Sequence, residues 1–138
     1  MKAQLKTKIS FYLILVVAIS LSACKKDKMI PPTIDFKTGT GYISTDSHVA
    51  LNTDFMIGVD AKRTEEEDDL KTFVVTRSYD GGADSTLDNL TLSQAEAGEF
   101  QKDYSFTTRN TAGTEKYSFT VTNRDGLITT ESITITVP

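Results

Sequence analysis

A strict alternation of apolar and polar residues near the end of the chain restricts what it can fold into. Tyr117, Phe119 and Val121 alternate with serine and threonine within the segment Thr114 to Asn123. A period of two puts successive side chains on opposite faces of an extended strand, whereas a helix needs a period of about 3.6. The segment therefore predicts an antiparallel strand with one face in a core and the other in solvent.

The same period recurs along the rest of the chain, and no segment has the spacing of an amphipathic helix. The pair Asp125-Gly126 predicts a tight turn into a last strand, and Ser93 to Gly98 is long enough only for a helical turn. Seven or eight strands at intervals of about 8 to 15 residues predict an all-β sandwich of antiparallel strands in two sheets. The predicted strands are Ile34–Phe36, Val49–Leu51, Phe55–Ala61, Leu70–Tyr79, Leu87–Leu92, Phe100–Phe106, Thr114–Asn123 and Ile133–Val137.

Two of these strands depart from simple alternation. In the strand that starts at Leu70, Phe73 and Val75 share one face, while Leu70 and Val74 are predicted on the other. Apolar residues on both faces are typical of a strand that is covered on both sides. In the strand from Phe100 to Phe106, Lys102 is the one polar residue at an inward position.

The closing hairpin also carries a resemblance to a known class of domain. The segment from Glu115 to Gly126, with Ile133 to Val137, resembles the F and G strands of bacterial immunoglobulin-like and PKD-type domains. Tyr117 then takes the place of their core tyrosine near the start of strand F. The chain has no tryptophan and lacks the Trp-Asp-Phe-Gly-Asp-Gly stretch typical of PKD modules. The resemblance therefore implies an immunoglobulin-like β-sandwich, a fold that carries many different functions.

The N-terminal segment has the composition of an export signal. Lys2, Lys6 and Lys8 precede an apolar run from Ile9 to Leu21, which is shorter than the stretch of about 20 residues that crosses a membrane. Leu21-Ser22-Ala23-Cys24 then resembles the lipobox of bacterial lipoproteins, in which the cysteine is acylated and the signal is removed just before it. The implied organisation is a signal peptide over residues 1–23, a lipidated cysteine and tether over residues 24–31, and a domain over residues 32–138.

Lipidation of Cys24 makes the membrane the first predicted partner. One acyl chain anchors a protein only marginally, whereas the two or three chains of a processed lipoprotein, palmitate among them, anchor it stably. Lipoproteins that stay at the inner membrane often share an aspartate directly after the cysteine. This chain has Lys25 at that position. The outer membrane is therefore the predicted location, and both its periplasmic face and the cell surface stay open.

The charge balance excludes nucleic acid as a partner. The chain has a formal charge of −4. Removal of residues 1–23 takes away three lysines and no acid, which gives −4 − 3 = −7. Beyond the N-terminal region no cluster of lysine and arginine could match a phosphate backbone.

Motifs for catalysis are missing from the sequence. It contains no Gly-x-Ser-x-Gly, no glycine-rich phosphate loop and no His-Glu-x-x-His. His48 is the only histidine, so neither a histidine zinc site nor a histidine-based triad can be completed. We therefore expect a chain that is not an enzyme and that needs no cofactor besides its covalent lipid.

Five consecutive acids from Glu65 to Asp69 form the most unusual local feature. Calcium prefers about six to eight oxygen ligands, and Glu65, Glu67 and Asp69 are the weak candidates for such a site. Adjacent acids repel one another and stay solvated, so a mobile loop is the preferred interpretation of this run.

The turn-rich stretch Arg77 to Ser85 is the candidate recognition segment, because loops on a rigid sandwich are where binding residues usually lie. Arg77, Tyr79 and, elsewhere, Tyr42 are its candidate ligand-binding residues. The sequence thus predicts a lipid-anchored binding or assembly module of the outer membrane, which docks on a protein partner through an edge strand or a sheet face. The alternative is a surface adhesin for glycans or host ligands, in one variant dependent on calcium.

Overall fold

A computed structural model describes residues 28–138, which form eight β-strands and contain no helix. The predicted signal peptide and Cys24 lie outside the described residues. Within 28–138 no helix is long and apolar enough to cross a membrane. The strands are β1 (Thr33–Phe36), β2 (Ser47–His48), β3 (Asp54–Lys62), β4 (Leu70–Tyr79), β5 (Ser85–Thr91), β6 (Glu99–Thr107), β7 (Gly113–Asn123) and β8 (Ile128–Val137).

The strands are divided between two sheets. One has the order β1-β3-β6 and the other the order β2-β8-β7-β4-β5. The last two strands pair as the sequence predicts, with Tyr117 opposite Ile133. The predicted all-β sandwich of seven or eight strands in two sheets is confirmed, with eight strands in residues 28–138.

One short pairing departs from the antiparallel arrangement. β2 lies parallel to β8, with His48 opposite Thr136. Asp46 holds the chain in place before β2, because its carboxylate accepts a hydrogen bond from the backbone N–H of Thr134 (2.7 Å). The segment Val49–Leu51, predicted as a strand, lies in the loop that follows β2.

The residues predicted for the inner faces fill the core. Tyr117, Phe119 and Val121 of β7 are fully buried. Rings from the two sheets meet beside them: the ring centroids of Phe73 in β4 and Phe100 in β6 are 4.9 Å apart. Each fully buried apolar side chain of this size contributes about 1.5–3 kcal/mol, so this layer is the main source of stability.

A β-bulge at the start of β4 changes the face of one residue. The register with β7 shifts between Leu70 and Thr72, so Leu70 points to the same side as Phe73. Leu70 is 3% exposed and belongs to the core cluster. The prediction that it lies opposite Phe73 is wrong, because strict alternation fails wherever a bulge inserts one extra residue.

The edge strands of both sheets have features that disfavour pairing with strands of other chains. β1 and β2 are only four and two residues long. On the other side Lys102 of β6 points inwards and forms an ion pair with Asp88 of β5, Nζ to Oδ2 2.8 Å. Short edges and inward charges are two devices that disfavour strand addition, and they explain why a lysine occupies an apolar position.

The loops gather at the two ends of the sandwich. At the end where the chain enters β1, here called the proximal end, the hydroxyls of Thr64 and Thr129 donate hydrogen bonds to the carbonyls of Pro31 and Pro32 (2.6 and 2.5 Å). The β3–β4, β5–β6 and β7–β8 loops lie there. The β2–β3, β4–β5 and β6–β7 loops lie at the opposite end, here called the distal end.

The outer faces of the two sheets are polar. On the three-stranded sheet Lys62 pairs with Asp60 and Glu99, at N···O distances of 2.9 and 3.3 Å. On the five-stranded sheet the outer positions of β7 and β8 are mostly serine and threonine, and Thr120 and Thr130 share a hydrogen bond between their hydroxyls (2.8 Å). Both faces are therefore suited to contact with water.

Candidate functional site

Two of the three predicted ligand-binding residues meet at the distal end. The guanidinium carbon of Arg77 lies 4.6 Å from the centroid of the Tyr79 ring. A residue that the sequence did not suggest, Arg109, places its own guanidinium carbon 5.1 Å from the same centroid. Tyr79 keeps 38% of its surface exposed. Two cations over one aromatic ring form a cation–π cluster at the mouth of the sandwich.

Asp80 fixes Arg109 in this cluster. Its carboxylate accepts hydrogen bonds from both terminal nitrogens of the guanidinium, at 2.7 and 2.6 Å. It also accepts a hydrogen bond from the backbone N–H of Thr114 (2.8 Å). The hydrogen bonds from Arg109, followed by that from Thr114, lower the pKa of Asp80 to about 2, so this carboxylate is ionised at neutral pH.

Gly113 leaves the space that this ion pair needs. It adopts a φ of +144°, which L side chains rarely adopt. A Cβ at this position would collide with the guanidinium of Arg109 and the carboxylate of Asp80. The β6–β7 loop can therefore close over Arg109 only with glycine here.

Beneath the cluster lies a carboxylate that is completely buried. Glu115 is 0% exposed, and its two oxygens accept hydrogen bonds from the Arg109 backbone N–H (2.8 Å) and from the Tyr117 hydroxyl (2.6 Å). Burial, followed by the hydrogen bond to Glu115, raises the pKa of Tyr117, which keeps the phenol protonated as a donor. A buried carboxylate is tolerated only when both oxygens are bonded in this way.

Arg77 differs from the other arginines of the chain. Arg63, Arg109 and Arg124 each form an ion pair with an aspartate. Arg77 forms none within residues 28–138, and its guanidinium carbon lies instead 6.0 Å from the Tyr117 ring centroid, in addition to its contact with Tyr79.

Tyr42, the third predicted residue, belongs to a separate cluster on the three-stranded sheet. Its hydroxyl donates to Asp103 (2.9 Å), whose other oxygen pairs with Lys37 (2.7 Å). The bond from Lys37, then that from Tyr42, lowers the pKa of Asp103. These side chains lie directly over Gly58, where a Cβ would approach all three within 3 Å. Tyr42 therefore braces the loop after β1.

A groove borders the distal end on the three-stranded sheet. It is lined in part by Gly41, Met56 and the half-buried rings of Phe55 and Phe106. Both rings contact Tyr117, with centroid distances of 5.6 and 4.4 Å. The rings of the groove and the arginine–tyrosine cluster thus share a contact with the buried ring of Tyr117.

The acidic run lies at the proximal end. Asp69 pairs with Arg63 (2.7 Å), and the Asp68 N–H donates to the Glu65 carbonyl (3.1 Å), which bends the run into a turn. Within residues 28–138 the fold brings no three potential metal-binding side chains together, and this includes the candidates Glu65, Glu67 and Asp69. His48 lies exposed on the short edge strand β2.

Comparison with known proteins shows the fold alone. No protein-family profile and no curated protein sequence matches the chain. It is similar to the superoxide reductase (neelaredoxin) from Ignicoccus hospitalis, with a TM-score of 0.54, 9% identity, and coverage of 79% of this chain and 81% of the enzyme. A variant of that enzyme has a TM-score of 0.53 and 10% identity, with coverage of 85% of this chain and 87% of the variant. A conjugate transposon protein fragment from Bacteroides vulgatus has a TM-score of 0.46 and 10% identity, with coverage of 83% of this chain and 91% of the fragment.

The likeness to superoxide reductase corrects one prediction. The expectation that the chain is not an enzyme is wrong as argued, because it rested on missing motifs and the same fold carries a reductase. Absent hydrolase motifs exclude those hydrolases and leave other chemistry untouched. At 9–10% identity the likeness does not transfer the reductase activity to this chain.

Sequence reasoning missed Arg109 and Glu115, and it gave Asp80 no role although Asp80 lies in the candidate segment Arg77 to Ser85. One signal was available for Glu115, since it shares the phase of Tyr117 and Phe119 and so is a charge on an inward face. Such a position requires polar partners nearby. No local pattern points to Arg109, because its partner Asp80 lies 29 residues away in sequence.

Proposed function

We propose that this chain is a lipid-anchored binding module of the bacterial outer membrane, which docks on a protein partner through its distal end. The observation that carries this proposal is the placement of the arginine–tyrosine cluster at the end opposite Pro31, where the chain enters the sandwich. Cys24 precedes the first residue of β1, Thr33, by nine positions. Even fully extended, nine residues span at most about 30 Å, so a lipid on Cys24 would hold the proximal end near the membrane.

The composition of the distal end supports a protein partner. Arginine, tyrosine, phenylalanine and methionine are enriched in the cores of protein interfaces. Arg77, Tyr79 and Arg109 form the cluster there, and Phe55 and Phe106 line the adjoining groove. Ion pairing holds Arg109 in position before any partner arrives, which lowers the entropy lost on docking.

The other surfaces give less support to docking. The edge strands are short or carry inward charges, which disfavours addition of a strand from another protein. On the outer face of the three-stranded sheet, Lys62 and Asp103 are engaged in ion pairs with their neighbours. Loops at the distal end are therefore the better candidate than the edges or faces that the sequence suggested.

The alternative of a glycan-binding adhesin has weaker support. Tyr42 already donates its hydroxyl to Asp103, and two guanidiniums lie over the ring of Tyr79. A neutral sugar that stacks on Tyr79 would have to compete with those cations. Calcium dependence is weakened in the same way, because Arg63 pairs with Asp69.

Docking can be tested in cells with a photo-crosslinking residue placed at either end. Leu51, 43% exposed, lies in the β2–β3 loop at the distal end, next to Asn52, whose N–H donates to the Arg109 carbonyl (3.3 Å). Ile128, 58% exposed, lies at the proximal end and serves as the matched control. We expect a discrete adduct from position 51 and none from position 128. Equal adducts from both positions, or an adduct from 128 alone, would contradict distal docking.

The lipid anchor has its own test. We expect the full chain to incorporate a labelled palmitate and to fractionate with the outer membrane, and Cys24→Ala to lose both properties. Ser22→Ala is the matched control, since it alters the same segment without removing the thiol. Unlabelled wild-type protein would refute the anchor.

A further inference from the structure

We infer that Arg77 binds a carboxylate side chain of the docking partner. This inference rests on the proposed function, because it names the chemistry that the distal end recognises. Its central observation is an arginine at an inward strand position whose charge has no acidic partner in the described part of the chain.

Strand phase places Arg77 where an apolar residue is expected. It follows Phe73 and Val75, both fully buried, on the inner face of β4. Its register partners are Tyr117 in β7 and Ser85 in β5. An inward guanidinium is costly unless something compensates its charge. Its location at the mouth of the sandwich leaves it half-buried and open to a ligand from outside.

The two nearby carboxylates are already engaged with other groups. Both oxygens of Asp80 accept hydrogen bonds from Arg109, and one also accepts the Thr114 N–H. Glu115 accepts one hydrogen bond on each oxygen, from Arg109 and from Tyr117. Within residues 28–138 Arg77 therefore forms no ion pair, although acids outnumber bases in the full sequence by 19 to 15.

Aromatic contacts prepare the guanidinium of Arg77 for a planar ligand. It lies 4.6 Å from the Tyr79 centroid and 6.0 Å from that of Tyr117. These rings and a hydrogen bond to the Tyr117 hydroxyl restrict its rotation, and its Nε is buried with no hydrogen-bond partner, so its remaining terminal N–H groups are the donors left for a ligand. A held guanidinium offers the paired donors that match a carboxylate.

The neighbouring charges select the kind of anion. Glu115 lies two positions along β7 from Tyr117, the register partner of Arg77, and its negative charge repels a doubly charged phosphate more strongly than a carboxylate with one charge. Phe55 and Phe106 pack against Tyr117, on which Arg77 also lies. An Asp or Glu side chain flanked by apolar residues fits this combination.

Arginine side-chain NMR on the detergent-solubilised full chain tests the inference directly. The chain has four arginines, so its Nε–Hε region holds four signals, and the signal lost in Arg77→Lys identifies Arg77. The probes are the capped tripeptide acetyl-Phe-Glu-Phe-amide and its Gln analogue. We expect the Glu peptide to shift the Arg77 signal, with an affinity at least about tenfold above that of the Gln peptide. Equal shifts of Arg77 and Arg124 would show unspecific ion pairing and overturn the inference.

A third probe distinguishes the source of the carboxylate. Digalacturonate carries carboxylates on sugar rings. Tighter binding of digalacturonate than of the Glu peptide at Arg77 would overturn the assignment to a protein side chain and indicate an acidic glycan instead.

Crosslinking in cells separates this inference from the proposed function. We expect Arg77→Gln to reduce the adduct from position 51 at least about tenfold, and Arg124→Gln, which removes the same charge at the proximal end, to leave it unchanged. A thermal melt of each variant checks that it is folded. Arg77→Lys keeps the charge but lacks the planar guanidinium, so it should give an intermediate yield of the adduct. A full adduct in folded Arg77→Gln refutes the role of Arg77 alone. An absent adduct in the wild-type chain refutes distal docking itself.

Discussion

Replacement of Glu115 by alanine should destabilise the whole sandwich, because this buried carboxylate ties the β6–β7 loop to the core. Its oxygens accept the Arg109 N–H and the Tyr117 hydroxyl. Alanine would leave both donors buried without an acceptor and would open a cavity beside Tyr117. Glu115→Gln keeps the shape and one acceptor oxygen, so it separates the effect of charge from that of volume.

The structure sets the size of the effect. Hydrogen bonds to charged groups contribute about 1.5–3 kcal/mol each, and the carboxylate of Glu115 accepts two. We expect Glu115→Ala to lower the free energy of unfolding by about 3–5 kcal/mol, out of a total of about 5–15 kcal/mol for a domain of this size. Glu115→Gln should cost about 1–2 kcal/mol, because Tyr117 can rotate its hydroxyl to accept from the new amide.

Urea unfolding of the two variants and of Tyr117→Phe measures these differences. A cycle of Glu115→Gln, Tyr117→Phe and the double variant should give a coupling free energy of about 1 kcal/mol or more. Lys116→Ala is the matched control, since this neighbour is exposed on the outer face of β7. If Glu115→Ala lowers the unfolding free energy no more than Lys116→Ala does, the claim that Glu115 organises the distal end is refuted.

Three further outcomes follow from the geometry. Leu70→Ala should cost about 2–5 kcal/mol and Val74→Ala less, because the bulge turns only the former into the core; equal losses in urea unfolding would place Leu70 outside it. In carboxyl NMR Asp80 should titrate near pH 2. Because its pKa is lowered on folding, the stabilisation from its ion pair is complete above about pH 4 and is lost as the pH falls towards 2. A titration near pH 3.9 would contradict the ion pair. Replacing both Lys102 and Asp88 with valine should promote self-association by size-exclusion chromatography, because it removes the inward charges of two edges; a monomer at all concentrations argues against that role.

Most strands, and the pairing of the last two, could be predicted because burial of one face imposes a period of two on the sequence. Tyr117, Phe119 and Val121 follow that period without interruption. Leu70 could not be placed in this way, since the bulge depends on how β4 pairs with β7 and leaves no local signature. The strand predicted at Val49–Leu51 failed for a similar reason, because a hydrogen bond to the distant Thr134 decides where β2 lies.

The candidate site was predictable only in part. Arg77 and Tyr79 lie two positions apart on one strand, so their shared face could be read from the sequence. Arg109 joins them from a different loop, through an ion pair with Asp80 that only the folded chain creates. Tyr42 has the same chemistry as Tyr79, yet its contacts lie on the other sheet. Residue type thus suggested candidates, and topology decided which of them meet.

The most direct test of anchored distal docking compares the position-51 adduct in cells that carry the wild-type anchor or Cys24→Ala. A lipid on Cys24 would concentrate the domain at the membrane and turn its distal end away from it, which raises the effective concentration for a membrane-bound partner. We predict a strong adduct in the anchored chain and a yield at least about tenfold lower in Cys24→Ala at equal protein levels. Equal yields from the two chains, or an anchored chain that crosslinks only from position 128, would contradict the account.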